Sequence, residues 1–431
     1  MSLSKKPYKG CRDFFPAEKR VQNYLFEKMH ETAKKFSFDP YDGPLLEEVA
    51  LYKAKSGEEL INDQIYGFMD RGEREVAIRP EMTPTLARMV AQVHRESPKP
   101  LRWYSIPNLM RYEKPQRGRL REHWQLNVDV FGAEAPMAEL EVTQFIIELL
   151  KSYGATSKMF NILINDRKLV DHLIENRLQL NEVQAHKLYK VMDKAKKVDE
   201  GALHKMVTDI LDNNQAKIFF EYLELKDFNE LKLFFTEVDC DLFKLEPLLK
   251  ELELTEYFTF DPTIVRGLDY YTGVVFEVFD LNLENRRAIA GGGSYANLLQ
   301  IFKEEPLRGI GFGLGDVTLR DFLETHKLLP GDLSKTTTKL YLAPIDIEAH
   351  LETSRLALRL RNLGVSVEQG LNALKPNKAM KYASARGFEY AALIGTNEVK
   401  EQIISVKHLA SKEQTTYKLS EIEQLASKLK V

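Results

Sequence analysis

Apolar residues recur every three to four positions from Val21 through Leu25, Met29 and Ala33. The spacing predicts a helix over residues 15–36, with Pro16 in its first turn, where a missing N–H costs nothing. Strand-like stretches follow in EVAIRP (75–80), LRWYSIPNLMRY (101–112) and REHWQLNVDVFG (121–132), and 136–152 reads as a helix. From 166 to 255 the texture changes to charged amphipathic helices such as DRKLVDHLIENRL and EVQAHKLYKVMDKAKKV. That block reads as an all-α insertion. Strand patterning resumes in VRGLDYYTGVVFEV (265–278), followed by AGGGSYANLL and GIGFGLGDVTLRDFLE. Residues 327–338, KLLPGDLSKTTT, have linker chemistry. Beyond them, 339–431 alternate as β-α-β-α-β, which predicts a small α/β domain with a mainly parallel sheet.

Composition adds limits. A chain of 431 residues holds two or three domains, and 44% hydrophobic with 29% charged residues is ordinary for a soluble globular protein. A net charge of −3 argues against a general cationic coat for nucleic acid but leaves room for a local basic patch. Cys11 and Cys240 are too few for a disulfide framework or a Cys-rich zinc site, and no HExxH spacing occurs, so no transition metal is expected. No run approaches 18 apolar residues and MSLSKKPYKG lacks a secretion signal, so no membrane span and a cytoplasmic location are expected.

The densest candidate chemistry lies in LMRYEKPQRGRLREHWQLNVDVFG (109–132). Two strand-like runs flank EKPQRGRL, predicting a hairpin with a long mobile loop. Arg111, Lys114, Arg117, Arg119 and Arg121 crowd into it. Such a cluster repels itself unless an anion joins, which puts phosphate or nucleic-acid contact ahead of a plain solvated turn. In the strand that follows, Gln125, Asn127 and Asp129 share one face, opposite Leu126, Val128 and Val130. Taken alone, that polar row favours a wet outer face over a pocket lining. In IRPEMTPTLARMV, Glu81 and Thr83 precede a helix, and an N-cap role for Thr83 is the simplest reading. The cluster Gly291–Gly293 reads as a flexible turn as readily as a site. GIGFGLGD sets glycines at alternate strand positions, which lets a flat ligand or a packed helix approach the backbone.

RGLDYYTG, RYEKPQRGRLRE, RPEMT and GGGSY together resemble the class II histidyl-tRNA synthetase family over essentially the whole chain. The resemblance implies an α+β catalytic core with an antiparallel sheet flanked by helices over 1–165 and 256–326. It also implies a helical insertion over 166–255, a linker over 327–338 and an anticodon-binding-like α/β domain over 339–431. The implied reaction joins L-histidine to tRNA(His) through a histidyl-adenylate, with ATP as substrate and Mg²⁺ on its phosphates. Arg266 and Arg111 correspond to the catalytic arginines on the α-phosphate. The histidine site would comprise Glu81, Thr83, Arg111, Gln125, Asp129, Arg266, Tyr270, Tyr271 and Tyr295, with Asp129 and Tyr271 on the two imidazole nitrogens. The ATP site would comprise Arg111, Glu113, Arg119, Arg121, His123 and Thr318. A homodimer built on the N-terminal helix and the strand through FDPYDGPL is implied as well.

Three positions depart from the family pattern. Ser294, Ala296 and Asn297 surround Tyr295 where the family usually writes GGRYDGL, and His123 stands at a usual phenylalanine. Thr318 stands where an arginine beside ATP is usual, and Arg320, two residues on, is turned about 200° away if the segment is helical. The altered Thr318 position favours one rival, a non-catalytic histidine-sensing paralogue like the regulatory subunit of ATP phosphoribosyltransferase. Arg111, Arg266 and the C-terminal domain weigh against it. A tRNA-binding module without ligase activity would have no need of an imidazole pocket.

Overall fold

The computed structural model describes residues 3–54, 63–196, 198–265, 271–333 and 335–430. The head of RGLDYYTG, with Arg266 and Tyr270, lies outside the described residues. The chain divides into two compact units, Met1–Phe14 with Gln22–Leu329, and Phe15–Val21 with Pro330–Val431.

The long predicted helix is α1 (Pro16–Lys35), and Leu25, Met29 and Ala33 are buried as their spacing requires. Of FDPYDGPL only β1 (Asp39–Pro40) is strand. EVAIRP does not join the large sheet. Its strand belongs to a three-stranded antiparallel sheet of β2 (Leu46–Glu48), β3 (Tyr66–Met69) and β4 (Glu75–Ile78), with α2 (Val49–Lys53) beside it. In α3 (Thr83–Val93) the N-cap is Met82 and Pro84 sits in the first turn, so Thr83 is not the cap. LRWYSIPNLMRY splits at Ile106–Pro107 into β5 (Leu101–Ser105) and β6 (Asn108–Met110), since proline cannot donate to a ladder. Both pair with the long β7 (Glu122–Phe131).

Next come α4 (Met137–Ser152) and β8 (Phe160–Asp166). The insertion follows as α5 (Arg167–His172), α6 (Glu182–Lys194), α7 (Glu200–Thr208), α8 (Asn213–Leu223), α9 (Phe228–Phe234) and α10 (Asp241–Glu251). Its helices are separated by cap residues. Asn181, Asp199, Asp212 and Asp227 each accept a hydrogen bond from an N–H of the following first turn. The chain then re-enters the large sheet through β9 (Phe258–Phe260), β10 (Val274–Asp280), β11 (Ala290–Tyr295) and β12 (Gly309–Gly315), and leaves it by α11 (Asp316–Thr325). Gly291–Gly293 are therefore strand, not a flexible turn.

Among the described residues the sheet order is β1-β5-β7-β12-β11-β10-β8-β9, with β6 also on β7. Only the outer pairs β1–β5 and β8–β9 are parallel. One face of the sheet, with Leu126, Val128, Phe276, Ile310 and Leu314, forms a single core with α4 and with insertion residues such as Leu188 and Phe219. The insertion is tied in by charge too. Arg308 reaches both Glu139 of α4 and Asp241 of α10, Ser294 donates to Glu139 at 2.6 Å, and the Leu242 N–H donates to Asp166.

The second unit contains β13 (Leu340–Pro344), α12 (His350–Asn362), β14 (Val367–Gln369), α13 (Pro376–Arg386), β15 (Tyr390–Ile394) and α14 (Thr396–Glu401). It ends with β16 (Ile403–His408), β17 (Gln414–Lys418) and α15 (Ile422–Lys430). The order is β14-β13-β15-β16-β17. The first three strands are parallel, as helical crossovers dictate. The last two add antiparallel, because a short turn joins β16 to β17 and a single short helix joins β15 to β16. The sheet is thus mixed rather than mainly parallel.

Candidate active site

The other face of the large sheet is open, and four adjacent strands build its floor. The polar row of β7 faces this way, with Asn127 and Asp129 buried, because its alternate residues Leu126, Val128 and Val130 are taken by the core. The outer-face reading of that row is overturned. Opposite it runs β12, whose register sets Gly311 against Asp129 and Gly313 against Asn127. A Cβ at Gly311 would lie 2.0 Å from Asp129 Oδ1, and one at Gly313 would lie 2.2 Å from Gln125 Nε2. The glycines are bare so that the side chains of β7 and Tyr295 can lie across the strand. Above this floor is a cavity of about 1020 Å³, lined by Glu81, Thr83, Arg111, Glu113, Arg119, His123, Gln125, Asp129, Tyr271, Tyr295 and Thr318 among others. Its size lies at the upper limit of the usual range for a small-molecule site.

At one end Tyr295 donates a 2.6 Å hydrogen bond to Asp129 Oδ1. Burial pushes the Asp129 carboxyl up to about 7, and the Tyr295 hydroxyl holds it from rising further. Tyr271 is buried beside it, packed so closely on Gly293 that a Cβ there would meet its Cδ1 at 2.8 Å. The cavity's other end lies near His123, six residues back along β7 and so about 20 Å away.

There Arg111 is fixed by donating from Nε to the Pro80 carbonyl at 2.8 Å. Glu113 is buried and ion-paired with Arg119. Burial first, then the charges of Arg111 and Arg12, lower the His123 imidazole to about 3. Near neutral pH it is therefore an uncharged flat ring. Thr318 turns its hydroxyl back to the carbonyls of Ile289 and Gly315. Arg320 points away and pairs with Glu324 at 2.7 Å, since this segment is helix α11.

Arg121 is a correction. It does not line the cavity. Its guanidinium donates to the Glu113 carbonyl at 3.0 Å and to the Tyr8 hydroxyl at 2.8 Å, and lies 4.0 Å from the Tyr112 ring centroid. It holds the hairpin loop against the N-terminal segment. Arg117, at the cavity rim, donates to Asn285 and Thr325. The loop is thus tied to its surroundings at several points. Among the lining residues that sequence reasoning missed are Glu277 of β10 and Arg287 just before β11. The signal was the dyad Arg286–Arg287 directly ahead of the glycine cluster.

An antiparallel sheet with one open polar face, fixed arginines at one end and a buried carboxylate at the other, is the catalytic core of a class II aminoacyl-tRNA synthetase. Residues 10–317 match the histidyl-tRNA synthetase family, and residues 339–429 match an anticodon binding domain. Among curated relatives, the histidine–tRNA ligase of Leptospira biflexa is 42% identical over 98% of this chain and 97% of its own. The chloroplastic/mitochondrial histidine–tRNA ligase of Arabidopsis thaliana is 34% identical over 97% of this chain and 86% of its own. The crystal structure of histidyl-tRNA synthetase from Nostoc sp. PCC 7120 superposes with a TM-score of 0.81 at 22% identity, covering 100% of this chain and 99% of that one. The chain belongs to the histidyl-tRNA synthetase family.

Proposed function

We propose that this protein activates L-histidine with ATP and transfers it to tRNA(His). One observation carries the reading. A single cavity holds Asp129 and Tyr271 at one end and Arg111 and Arg119 at the other, so an amino acid and a nucleotide fit end to end.

Asp129 accepts from one imidazole nitrogen of the substrate, and the Tyr271 hydroxyl donates to the other. Glu81 supplies the countercharge for the α-ammonium, with Thr83, Gln125 and Tyr295 around it. An amino acid that leaves these buried groups unpaired is rejected, a penalty that can reach a factor on the order of 10⁴. The histidine carboxylate attacks the α-phosphorus and pyrophosphate leaves. Arg111, already oriented by Pro80, meets the charge that builds on the α-phosphate oxygens, and Arg266 is assigned the same task from its motif. Neutral His123 offers a flat face to the adenine. In the second step a ribose hydroxyl at the tRNA 3′ end attacks the mixed anhydride and releases AMP.

Mg²⁺ takes one or two protein carboxylates together with phosphate oxygens and water. Glu113 and Glu277, both lining the cavity, suit that need, and the ion would draw charge from the phosphates. The second unit, with its mixed sheet, is assigned to the anticodon, the proposed boundary lying within 327–338. A homodimer through α1 and the segment after it, and a cytoplasmic location, complete the proposal. Among the described residues no helix is long and apolar enough to cross a membrane.

Pyrophosphate exchange into ATP, measured with and without histidine, tests the first step, and charging of tRNA(His) tests the second. Histidine-dependent exchange followed by charging is expected. Tight histidine binding with no exchange at any ATP concentration would turn the assignment toward a histidine sensor.

A further inference from the structure

Arg287 lines the cavity three residues before β11, and among the described residues no acceptor takes a hydrogen bond from its guanidinium. Its surroundings make that costly. It is partly desolvated, and Arg119 lies close enough to repel it, both of which lower its pKa. Among the described residues Glu113 is the carboxylate that acts on it, and Glu113 is already ion-paired with Arg119. Arg119 and Arg287 thus both draw on Glu113 inside a cavity. A third party carrying negative charge would relieve both.

The fold goes out of its way to admit this side chain. Gly118, at the tip of the arginine hairpin, has a φ of +70°, and a Cβ there would stand 3.2 Å from Arg287 Cδ. The same Cβ would stand 3.3 Å from Thr318 Cγ2. Arg287 and Thr318 therefore meet at one place, one from the loop before β11 and one from the first turn of α11. Thr318 is short, and its hydroxyl is spent on the Ile289 and Gly315 carbonyls, which leaves the space to the arginine.

The position along the sheet selects the ligand. Asp129 lies opposite Gly311, while Thr318 bonds the Gly315 carbonyl, four strand residues or about 13 Å away. That is too far for an amino acid held at Asp129. It is the distance of a second substrate.

We propose that Arg287, together with Arg119, binds the polyphosphate of ATP, performing from the β11 loop a task that no side chain of α11 performs in this chain. The proposal rests on the activation reading above. Arg287 is thereby a substrate-contacting residue of the first step, and it acts on the nucleotide without acting on histidine.

The test measures pyrophosphate exchange for wild type, Arg287→Ala, Arg287→Lys and the double variant Arg287→Ala/Thr318→Arg. ATP binding without histidine is followed by equilibrium dialysis, and thermal unfolding is followed in parallel. Arg287→Ala should raise the KM for ATP at least ten-fold and weaken ATP in dialysis similarly, with the KM for histidine within two-fold. Arg287→Lys should recover part of the loss, because it keeps the charge and loses the fork. Thr318→Arg in the Arg287→Ala background should bring the KM for ATP back to within a few-fold, because a side chain there starts from the same place. Arg320→Ala, on Glu324 and outside the cavity, is the control and should change nothing beyond two-fold. An active wild type with Arg287→Ala also within two-fold for ATP overturns the proposal alone. So does a variant whose KM values for histidine and ATP rise together with a lower unfolding midpoint. A wild type that exchanges no pyrophosphate overturns the activation reading, and this proposal with it.

Discussion

Asp129 is a carboxyl whose environment sets it against itself. Burial pushes it to about 7, against roughly 3.9 for an unfolded chain, so between those values the folded protein binds more protons than the unfolded one. Stability therefore falls as pH rises through that window, and the loss is complete above it. Asp129→Asn removes the loss. Its unfolding midpoint should exceed that of wild type by more at pH 8 than at pH 5. Binding runs the other way, because the ionised form is the better acceptor for an imidazole N–H. The KM for histidine should fall between pH 6 and pH 8 in wild type and change far less in Asp129→Asn. Tyr295→Phe removes the hydroxyl that favours the ionised form, so the wild-type pH dependence should move upward. Parallel pH profiles for Tyr295→Phe and wild type would deny the hydrogen bond that role.

Single elements show what a sequence can carry. The alternation in β7 fixed which residues share a face, but not whether that face was wet. That depended on β12 lying alongside with only glycines on that face, a relation between segments some 180 residues apart. The arginine hairpin was legible as a cation cluster, yet Arg121 was misplaced because its partners, Tyr8 and the Glu113 carbonyl, come from tertiary folding. Arg287 was passed over for the opposite reason, since even an arginine dyad in a polar loop looks solvated until a neighbouring glycine and threonine are seen to make room for it. Long helices and the insertion were legible because periodicity and Asn/Asp caps are local. The bond between insertion and core was not. Arg308 bridges Asp241 and the fully buried Glu139. Arg308→Ala would leave Glu139 uncompensated, which should cost about 3 kcal/mol or more of unfolding free energy in denaturant titration. Arg308→Met, if as stable as wild type, would show that the bridge carries no net stability.

At the scale of the whole molecule, the residues assigned to activation all precede Leu329, where the first compact unit ends. A chain stopped there should still exchange pyrophosphate in the presence of histidine, while charging tRNA(His) at least ten-fold less efficiently than the full chain. Equal charging by both would remove the anticodon assignment from the second unit. The bare strand β12 has a different kind of consequence, for inheritance. A Cβ at Gly309, Gly311 or Gly313 would fall 2.4, 2.0 or 2.2 Å from a side chain of the site, whereas at Gly315 the nearest atom is 3.3 Å away. In a saturation library selected for tRNA charging, positions 309, 311 and 313 should admit no substitute, 315 should admit alanine, and 310, 312 and 314 should drift among apolar residues. Free passage of alanine at 311 would refute this. Where the floor cannot vary, a lineage can change its choice of amino acid only by rewriting the walls, at Gln125, Asp129, Tyr271 and Tyr295. Every intermediate along such a path keeps the same sheet beneath it.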